Sequence, residues 1–164
     1  MTLENKYKTF NHKLGQFDLN PDFIISISHS DGFSERLLNY EIFIDQNYNF
    51  HIQLQSFKGS LLNIDTPFNL QLSSRLPKYL ESQIKVLFSE NFKDIKSNYA
   101  FENLSICDVG FQEILINMNG KTKTISIEDS LKNFKLINKN EKRLEKLNFD
   151  IKNWIENLYL NITE

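Results

Sequence analysis

The run "SISHSDG", residues 26–32, places two serines, a histidine and an aspartate side by side. These residue types serve nucleophilic catalysis, in which a base deprotonates a hydroxyl group and a carboxylate orients the base. In an extended strand, however, Ser28 and His29 point to opposite faces and cannot hydrogen-bond to each other. We therefore interpret the run as a strand end followed by an Asp-Gly turn, and residues 31–38 as a candidate binding loop.

Other residues suited to chemistry are few. The chain has three histidines, His12, His29 and His51, and no H-x-x-x-H spacing that would place two of them on one helix. Cys107 is the only cysteine, and a lone cysteine usually behaves as a small buried hydrophobe. The sequence therefore predicts no catalytic residues, no metal site and no cofactor.

Composition narrows the class of protein. The 164 residues are 40% apolar, which favours a folded chain, and we expect a single domain over residues 1–164. The 19 Lys and Arg against 21 Asp and Glu give a net charge of −2, so nucleic acid is a poor default partner. Neither a secretory signal nor an apolar run long enough for a membrane span is visible, and a cytoplasmic location is expected.

Three strands are predicted first, in "FIISISHS" (23–30), "NYEIFID" (39–45) and "FHIQLQS" (50–56). A three-residue loop over 47–49, ending in a left-handed Asn49, would place the isoleucines and leucines of the second and third strands on one face. The same register sets His51 opposite Asp45, a pairing that would raise the pKa of the imidazole.

The most specific local pattern is "DVGFQEILINMNGKTKTISIED", residues 108–129. Asn119-Gly120 between two alternating segments predicts a two-residue type I′ turn, because both residues accept positive φ. That register aligns four isoleucines as a core face: Ile114, Ile116, Ile125 and Ile127.

Two amphipathic helices complete the pattern, over residues 77–95 and 141–162. Residues 1–20 are interpreted as an N-terminal arm or a short helix, and 57–76 as an irregular segment. The order is βββ-α-ββ-α, so the predicted fold class is α+β: an antiparallel sheet of about five strands, with both helices packed on one face. The opposite face of that sheet would be open to solvent.

The chain resembles, in layout, a group of small bacterial strand-helix-strand-helix domains of unknown function. The resemblance covers about residues 23–160 and rests on four runs: "YEIFIDQNYNFHIQL", "LSSRLPKYLESQIKVLF", "CDVGFQEILINMNGKTKTISI" and "LEKLNFDIKNWIENL". It departs at "FSERLLN", where such domains have a shorter link. In overall type the chain is also similar to immunity proteins of bacterial toxin systems, which implies a binding role and no catalytic residues.

The hypothesis from sequence is a non-catalytic protein-binding domain, such as a bacterial immunity protein or an inhibitor of a toxin. Its contact surface would be the open sheet face, with a basic partner attracted by the acidic residues there. The candidate partner-binding residues are Glu41, Phe43, Asp45, His51 and Gln53, with Phe43 as the anchor of the contact. The alternative is a small-molecule-binding domain or enzyme with a pocket between the sheet and segment 57–76; self-association stays open as well.

Overall fold

The computed structural model describes residues 4–31, 36–60, 63–64, 68–89, 92–102 and 110–163. They form two compact units. The first comprises Met1–Arg75 and Ser97–Ser130 and contains the strands, and the second comprises Leu76–Lys96 and Leu131–Glu164 and contains the two long helices. The single domain, and the packing of both helices on one sheet face, stay predictions.

The first unit contains a short helix and, among its described residues, ten strands. In chain order these are α1 (Glu4–Tyr7), β1 (Lys8–Asn11), β2 (Gln16–Leu19), β3 (Phe23–Ser30), β4 (Arg36–Asp45), β5 (Asn49–Ser60), β6 (Asn63–Ile64), β7 (Phe68–Arg75), β8 (Asn98–Tyr99), β9 (Phe111–Met118) and β10 (Lys121–Glu128).

The main sheet runs in the order β7-β5-β4-β3-β9-β10-β8, with the two-residue strand β6 also paired to β5. All pairs are antiparallel except β8 with β10. The mixed α+β class is confirmed. The prediction of about five strands, all antiparallel, is wrong, because β1, β2, β6, β7 and β8 were not predicted and β8 pairs with β10 in parallel.

The hairpin of β9 and β10 has the predicted register, with Ile114 opposite Ile125 and Ile116 opposite Lys123. Asn119 and Gly120 have φ values of 52° and 80°, as a type I′ turn requires. The turn is therefore confirmed, and its residue types are sufficient to explain it.

The loop between β4 and β5 has three residues, as predicted, but lies one residue earlier in the chain. Tyr48, with φ 62°, takes the left-handed position expected for Asn49. Asp45 holds the turn, since its Oδ1 accepts the backbone N–H groups of Asn47 (2.8 Å) and Asn49 (2.9 Å). The predicted pairing of Asp45 with His51 is therefore wrong, and His51 lies opposite Phe43.

The register of β4 and β5 differs from the predicted one by two residues, for example in pairing Ile42 with Ile52 instead of Leu54. Side chains alternate with a period of two, so this shift leaves every residue on its expected face. One face of the sheet, here called the isoleucine face, consists of fully buried side chains: Ile25, Ile27, Ile42, Ile44, Ile52, Leu54, Ile114, Ile116, Ile125 and Ile127.

Segment 57–76 was expected to be irregular, and this is wrong for its described part. Residues of β7 alternate as Phe-Asn-Leu-Gln-Leu, and the strand pairs with β5 along its whole length, from Asn49 opposite Arg75 to Ser56 opposite Phe68. The segment thus extends the sheet, which removes the geometry assumed for a pocket between the sheet and residues 68–75.

The helices of the second unit are α2 (Lys78–Phe88) and α3 (Lys139–Thr163). The first is shorter than the predicted 77–95, and a 3-10 turn follows at Phe92–Asp94. Pro77 occupies the N-cap of α2 and supplies no side-chain hydrogen bond to the helix.

The long helix α3 has the predicted extent within a few residues. It begins in a reciprocal cap, in which Asn138 Oδ1 accepts the Glu141 N–H (2.8 Å) and Glu141 Oε2 accepts the Asn138 N–H (3.2 Å). Its apolar stripe includes Leu144, Leu147 and Ile151, whose side chains are fully buried. None of the helices in the described part of the chain combines the length and apolar character needed to cross a membrane.

The N-terminal arm, residues 4–20, is a helical turn followed by the hairpin of β1 and β2. It lies on the second face of the main sheet, here called the arm face. Tyr7 and Leu19 of the arm form one buried cluster with Phe43 and Leu115 of the sheet. The Leu19 N–H donates to Thr122 Oγ1 (2.8 Å), which fastens β2 to β10.

Candidate functional site

The run that resembled a catalytic site is divided between the two sheet faces. His29 is buried on the isoleucine face, whereas the Ser28 hydroxyl lies on the arm face and donates to the Glu113 carbonyl (3.4 Å). The separation of serine from histidine, predicted from strand geometry, is confirmed. No serine, threonine or cysteine side chain among the described residues hydrogen-bonds to this imidazole.

His29 instead belongs to a buried polar network at the end of β3. Its Nε2 lies 2.7 Å from Asp31 Oδ1, and the Gln112 amide nitrogen lies 2.9 Å from its Nδ1. A Gln112 amide that donates to Nδ1 leaves the proton on Nε2, where Asp31 accepts it. The second oxygen of Asp31 accepts the Leu38 N–H (3.0 Å), so the network joins the end of β3 to β4. Residues 32–35 of the predicted binding loop lie outside the described residues, and residues 36–38 belong to β4.

Phe43, the predicted contact anchor, is not available at the surface. Its side chain is 1% exposed, and it stacks on Tyr7 with ring centroids 4.6 Å apart. Phe23 packs edge-on against it at 6.0 Å. The expectation that Phe43 is solvent-exposed is wrong, because the arm covers the sheet face on which it lies.

The other candidates on that face are also engaged by neighbours. Glu41 accepts from the buried Lys8 ammonium at 2.5 Å, and Asp45 is committed to its turn. His51 stacks on Tyr7 at 4.9 Å and lies 2.6 Å from Ser73 Oγ. Gln53 is half-buried between strands β4 and β7.

The pKa of His51 is lowered, not raised as predicted from the Asp45 pairing. Burial is the larger cause and the positive charge of Lys6 the smaller. In the observed register Asp45 bonds within its own turn, and the arm brings the Lys6 cation and the Tyr7 ring to the imidazole. The His51 imidazole, stacked on Tyr7, is one of the contacts between the sheet and the arm.

The arm creates a cleft that the sequence did not predict. We call it the hairpin cleft; it has a volume of about 430 Å³, within the range of ligand sites. Its rim comes from the β1–β2 hairpin and its floor from the sheet, and the lining residues are Phe10, Leu14, Gly15, Gln16, Phe17, Ser97, Glu113, Thr124 and Ser126.

The floor of the hairpin cleft is polar. Glu113 is a half-buried carboxyl group whose pKa is raised, mainly by burial; Lys8 opposes this shift and Glu41 adds to it. Thr124 Oγ1 is buried and has no hydrogen-bond partner within the described residues. Ser126 lies directly across from Glu113 on β10. Glu113 and Ser126 are directly paired across the two strands, and Thr124 lies two residues from Ser126 on β10. Side chains alternate along a strand with a period of two, so all three lie on the same face.

The rim of the hairpin cleft is apolar and exposed. Phe10 is 42% and Leu14 66% exposed, and Phe10 packs edge-on against Phe17 with centroids 5.2 Å apart. The tip is shaped by Asn11, whose side chain accepts the Lys13 and Leu14 N–H groups, and by Gly15 with φ 64°. Exposed aromatic and aliphatic side chains beside a concave polar floor are features of binding sites.

A sequence signal for this hairpin does exist. The segment "KTFN" ends in Asn11, Gly15 directly precedes "QFDL", and Phe10 pairs with Phe17 across the two strands. What the pattern lacks is any indication of where the hairpin packs, since its contacts with Phe43 and Leu115 join residues far apart in the chain.

The remaining candidates do not add a second site. Cys107 lies outside the described residues. His12 is exposed and packs edge-on against Phe10 at 5.0 Å. Among the residues that the structure describes, no group of three or more His, Cys, Asp or Glu side chains is placed to hold a metal ion.

Comparison with known proteins adds no assignment: no protein-family model matches the chain, and no curated protein matches it. The resemblance to small bacterial domains and to immunity proteins therefore stays a prediction.

Proposed function

We propose that this chain is a non-catalytic protein-binding domain whose contact surface is the tip of the N-terminal hairpin and the hairpin cleft beside it. The observation that carries the proposal is the exposure of Phe10 and Leu14 on the rim of a concave polar floor. Aromatic residues next to a groove are typical of the few interface positions that dominate binding free energy.

The class of function is the one predicted from the sequence, a protein-binding domain, but the contact surface is a different one. The open sheet face was expected to make the contact, with Phe43 as its anchor. Because the arm covers that face, the exposed apolar residues of the arm take over this role, and Phe10 replaces Phe43 as the anchor.

An inhibitor or immunity protein is the role that this arrangement fits best. Such a protein needs a complementary surface and no chemistry of its own, and the function of a domain resides in such sites and not in the fold. The carboxylates of Glu41 and Glu113 outnumber the Lys8 ammonium near the cleft, which favours a basic partner.

A small-molecule ligand is the second candidate, favoured by the volume of the cleft, about 430 Å³. A molecule of that size would contact the same rim and floor. Unlike a protein partner, a small molecule bound in the cleft would leave the outward-facing parts of Phe10 and Leu14 exposed to solvent.

The test compares two double variants that remove similar apolar surface. Phe10→Ser/Leu14→Ser alters the rim, and Phe149→Ser/Ile162→Ser removes two exposed apolar side chains of α3. Each tagged protein is used to capture partners from an extract of the organism that encodes it, and a protein captured by wild type is then purified and titrated.

We expect the rim variant to bind that protein about 30-fold more weakly, the factor that corresponds to 2 kcal/mol, and the α3 variant to bind as wild type does. Equal affinity of all three proteins would contradict the proposal. Circular dichroism melts confirm that both variants fold.

A further inference from the structure

We propose, resting on the function above, that the hairpin cleft receives one cationic side chain of the partner, a lysine ammonium or an arginine guanidinium, with Glu113 as its counter-charge. Three features of the cleft favour such an occupant: the charge on its floor, its unsatisfied hydroxyl group and its aromatic walls.

The charge on the floor is not balanced from within the described residues. Lys8 is already committed, since its ammonium lies 2.5 Å from Glu41 and 4.4 Å from the centre of the Phe17 ring. Glu113 forms no ion pair in the part of the chain that the structure describes, although its carboxyl group is half-buried. A carboxylate that is partly removed from water is stabilised most by a cation that also donates hydrogen bonds to it.

The raised pKa of Glu113 is consistent with a carboxyl group that lacks a counter-charge. Burial raises it and the nearby Glu41 raises it further, which together outweigh the opposing effect of Lys8. A raised carboxyl pKa means that the ionised form is poorly stabilised in the isolated protein. A bound cation would supply the missing stabilisation.

The hydroxyl groups on the floor provide further acceptors. Thr124 Oγ1 is buried without a hydrogen-bond partner in the described structure, and a buried polar atom in that state costs free energy. An ammonium group has three N–H donors and a guanidinium five. One donor could bond to Glu113 and another to Thr124, which lie on neighbouring strands of the same sheet face.

The walls suit the rest of such a side chain. Phe10 and Phe17 line the cleft from the hairpin side, at an interplanar angle of 70°. The aliphatic stem of lysine or arginine packs on apolar surface while its charged end reaches a polar group. A cation near an aromatic face is also stabilised by the ring itself.

An anionic ligand fits this cleft poorly. It would face the Glu113 carboxylate, while the nearby Lys8 is paired with Glu41. A neutral apolar side chain would fill the walls but would leave Glu113 further desolvated and without a counter-charge. The cation is therefore the occupant that satisfies both the walls and the floor.

The experiment titrates the isotope-labelled full chain with small probes, followed by amide chemical shifts. The probes are the N-acetyl methylamides of lysine, of arginine and of norleucine, which has the lysine stem without the charge. The variant Glu113→Gln removes the counter-charge with little change of shape, and Asp22→Asn removes one exposed carboxylate of the same unit outside the cleft.

We expect the lysine or arginine probe to give saturable shifts at residues 113, 124 and 126, and the norleucine probe to bind about tenfold more weakly. Glu113→Gln should abolish that difference, and Asp22→Asn should preserve it. Equal binding of norleucine and the cationic probes to wild type would overturn the inference, and so would shifts confined to other parts of the chain. The comparison of probes on wild type needs no variant to fold.

Failure of this inference is distinguishable from failure of the proposed function. If the rim variant loses its partner while Glu113→Gln retains it at full affinity, the protein-binding role stands and the cationic contact is rejected. If the rim variant retains its partner, the proposed function is rejected, whatever the small probes show.

Discussion

Replacing Phe43 by alanine tests whether the N-terminal arm covers the sheet. The side chain is 1% exposed and contacts two further rings, Tyr7 at 4.6 Å and Phe23 at 6.0 Å. Truncation of a buried phenylalanine costs about 3–5 kcal/mol, which includes the cavity that remains. Small domains are stable by only about 5–15 kcal/mol, so this variant should be marginally folded.

The assay is urea unfolding followed by far-ultraviolet circular dichroism, with the free energy of unfolding extrapolated to water. Phe10→Ala is the matched control, since it makes the same chemical change at a position of the arm that is 42% exposed. We expect the control to lose about 1 kcal/mol or less, as substitutions at exposed positions usually do.

A double-mutant cycle with Tyr7→Ala then isolates the contact between arm and sheet. The stacked pair of Tyr7 and Phe43 should show a coupling free energy of about 0.5–1.5 kcal/mol. If Phe43→Ala costs no more than Phe10→Ala, or if the coupling is absent, the arm does not lie on this face. The open sheet face expected from the sequence would then be the better description.

Two further perturbations test the turn and the histidine. Gly120→Val should lower the free energy of unfolding by about 1–3 kcal/mol in urea melts, because φ at this position is 80°, which valine adopts poorly. A Cβ added at this position meets no atom within 4 Å, so the cost comes from the backbone conformation and not from a steric clash. Lys121→Val at the exposed start of β10 is the control, and a similar loss in both would contradict the turn. The pKa of His51 is lowered by burial and by Lys6, so its contribution to stability is present above the ordinary value of 6.5 and is lost as the pH falls below it. Wild type should therefore lose more stability than His51→Phe between about pH 7.5 and 5.5, and parallel losses would refute the effect.

The candidate site illustrates which contacts a sequence can predict. Strand alternation and the Asn119-Gly120 turn are sufficient to place Glu113 on the face opposite the isoleucines. Its participation in a cleft was not foreseen. The cleft forms only because the β1–β2 hairpin packs beside β9, about a hundred residues further along the chain. Nothing in the hairpin's own sequence indicates where on the sheet it packs.

The loop between β4 and β5 shows an intermediate case. Its length follows from the hydrophobic pattern, but the choice between Tyr48 and Asn49 for the left-handed position shifts the pairing by two residues. Asp45 settles that choice through its hydrogen bonds to Asn47 and Asn49. The pattern of apolar residues was insensitive to the shift, because a slip of two residues returns every side chain to the same face.

By itself, then, the sequence determined which side chains share a face, where the sharp turn of β9 and β10 lies, and that α3 forms. These features arise from alternation, helical periodicity and the conformational preferences of Asn and Gly, all of which act between near neighbours. The tertiary structure alone decided that Phe43 is buried, that the pKa of His51 falls and that a cleft opens beside Glu113. Each of these depends on the arm meeting strands far along the chain, and exposure to solvent is a property of the whole packing that no local pattern contains.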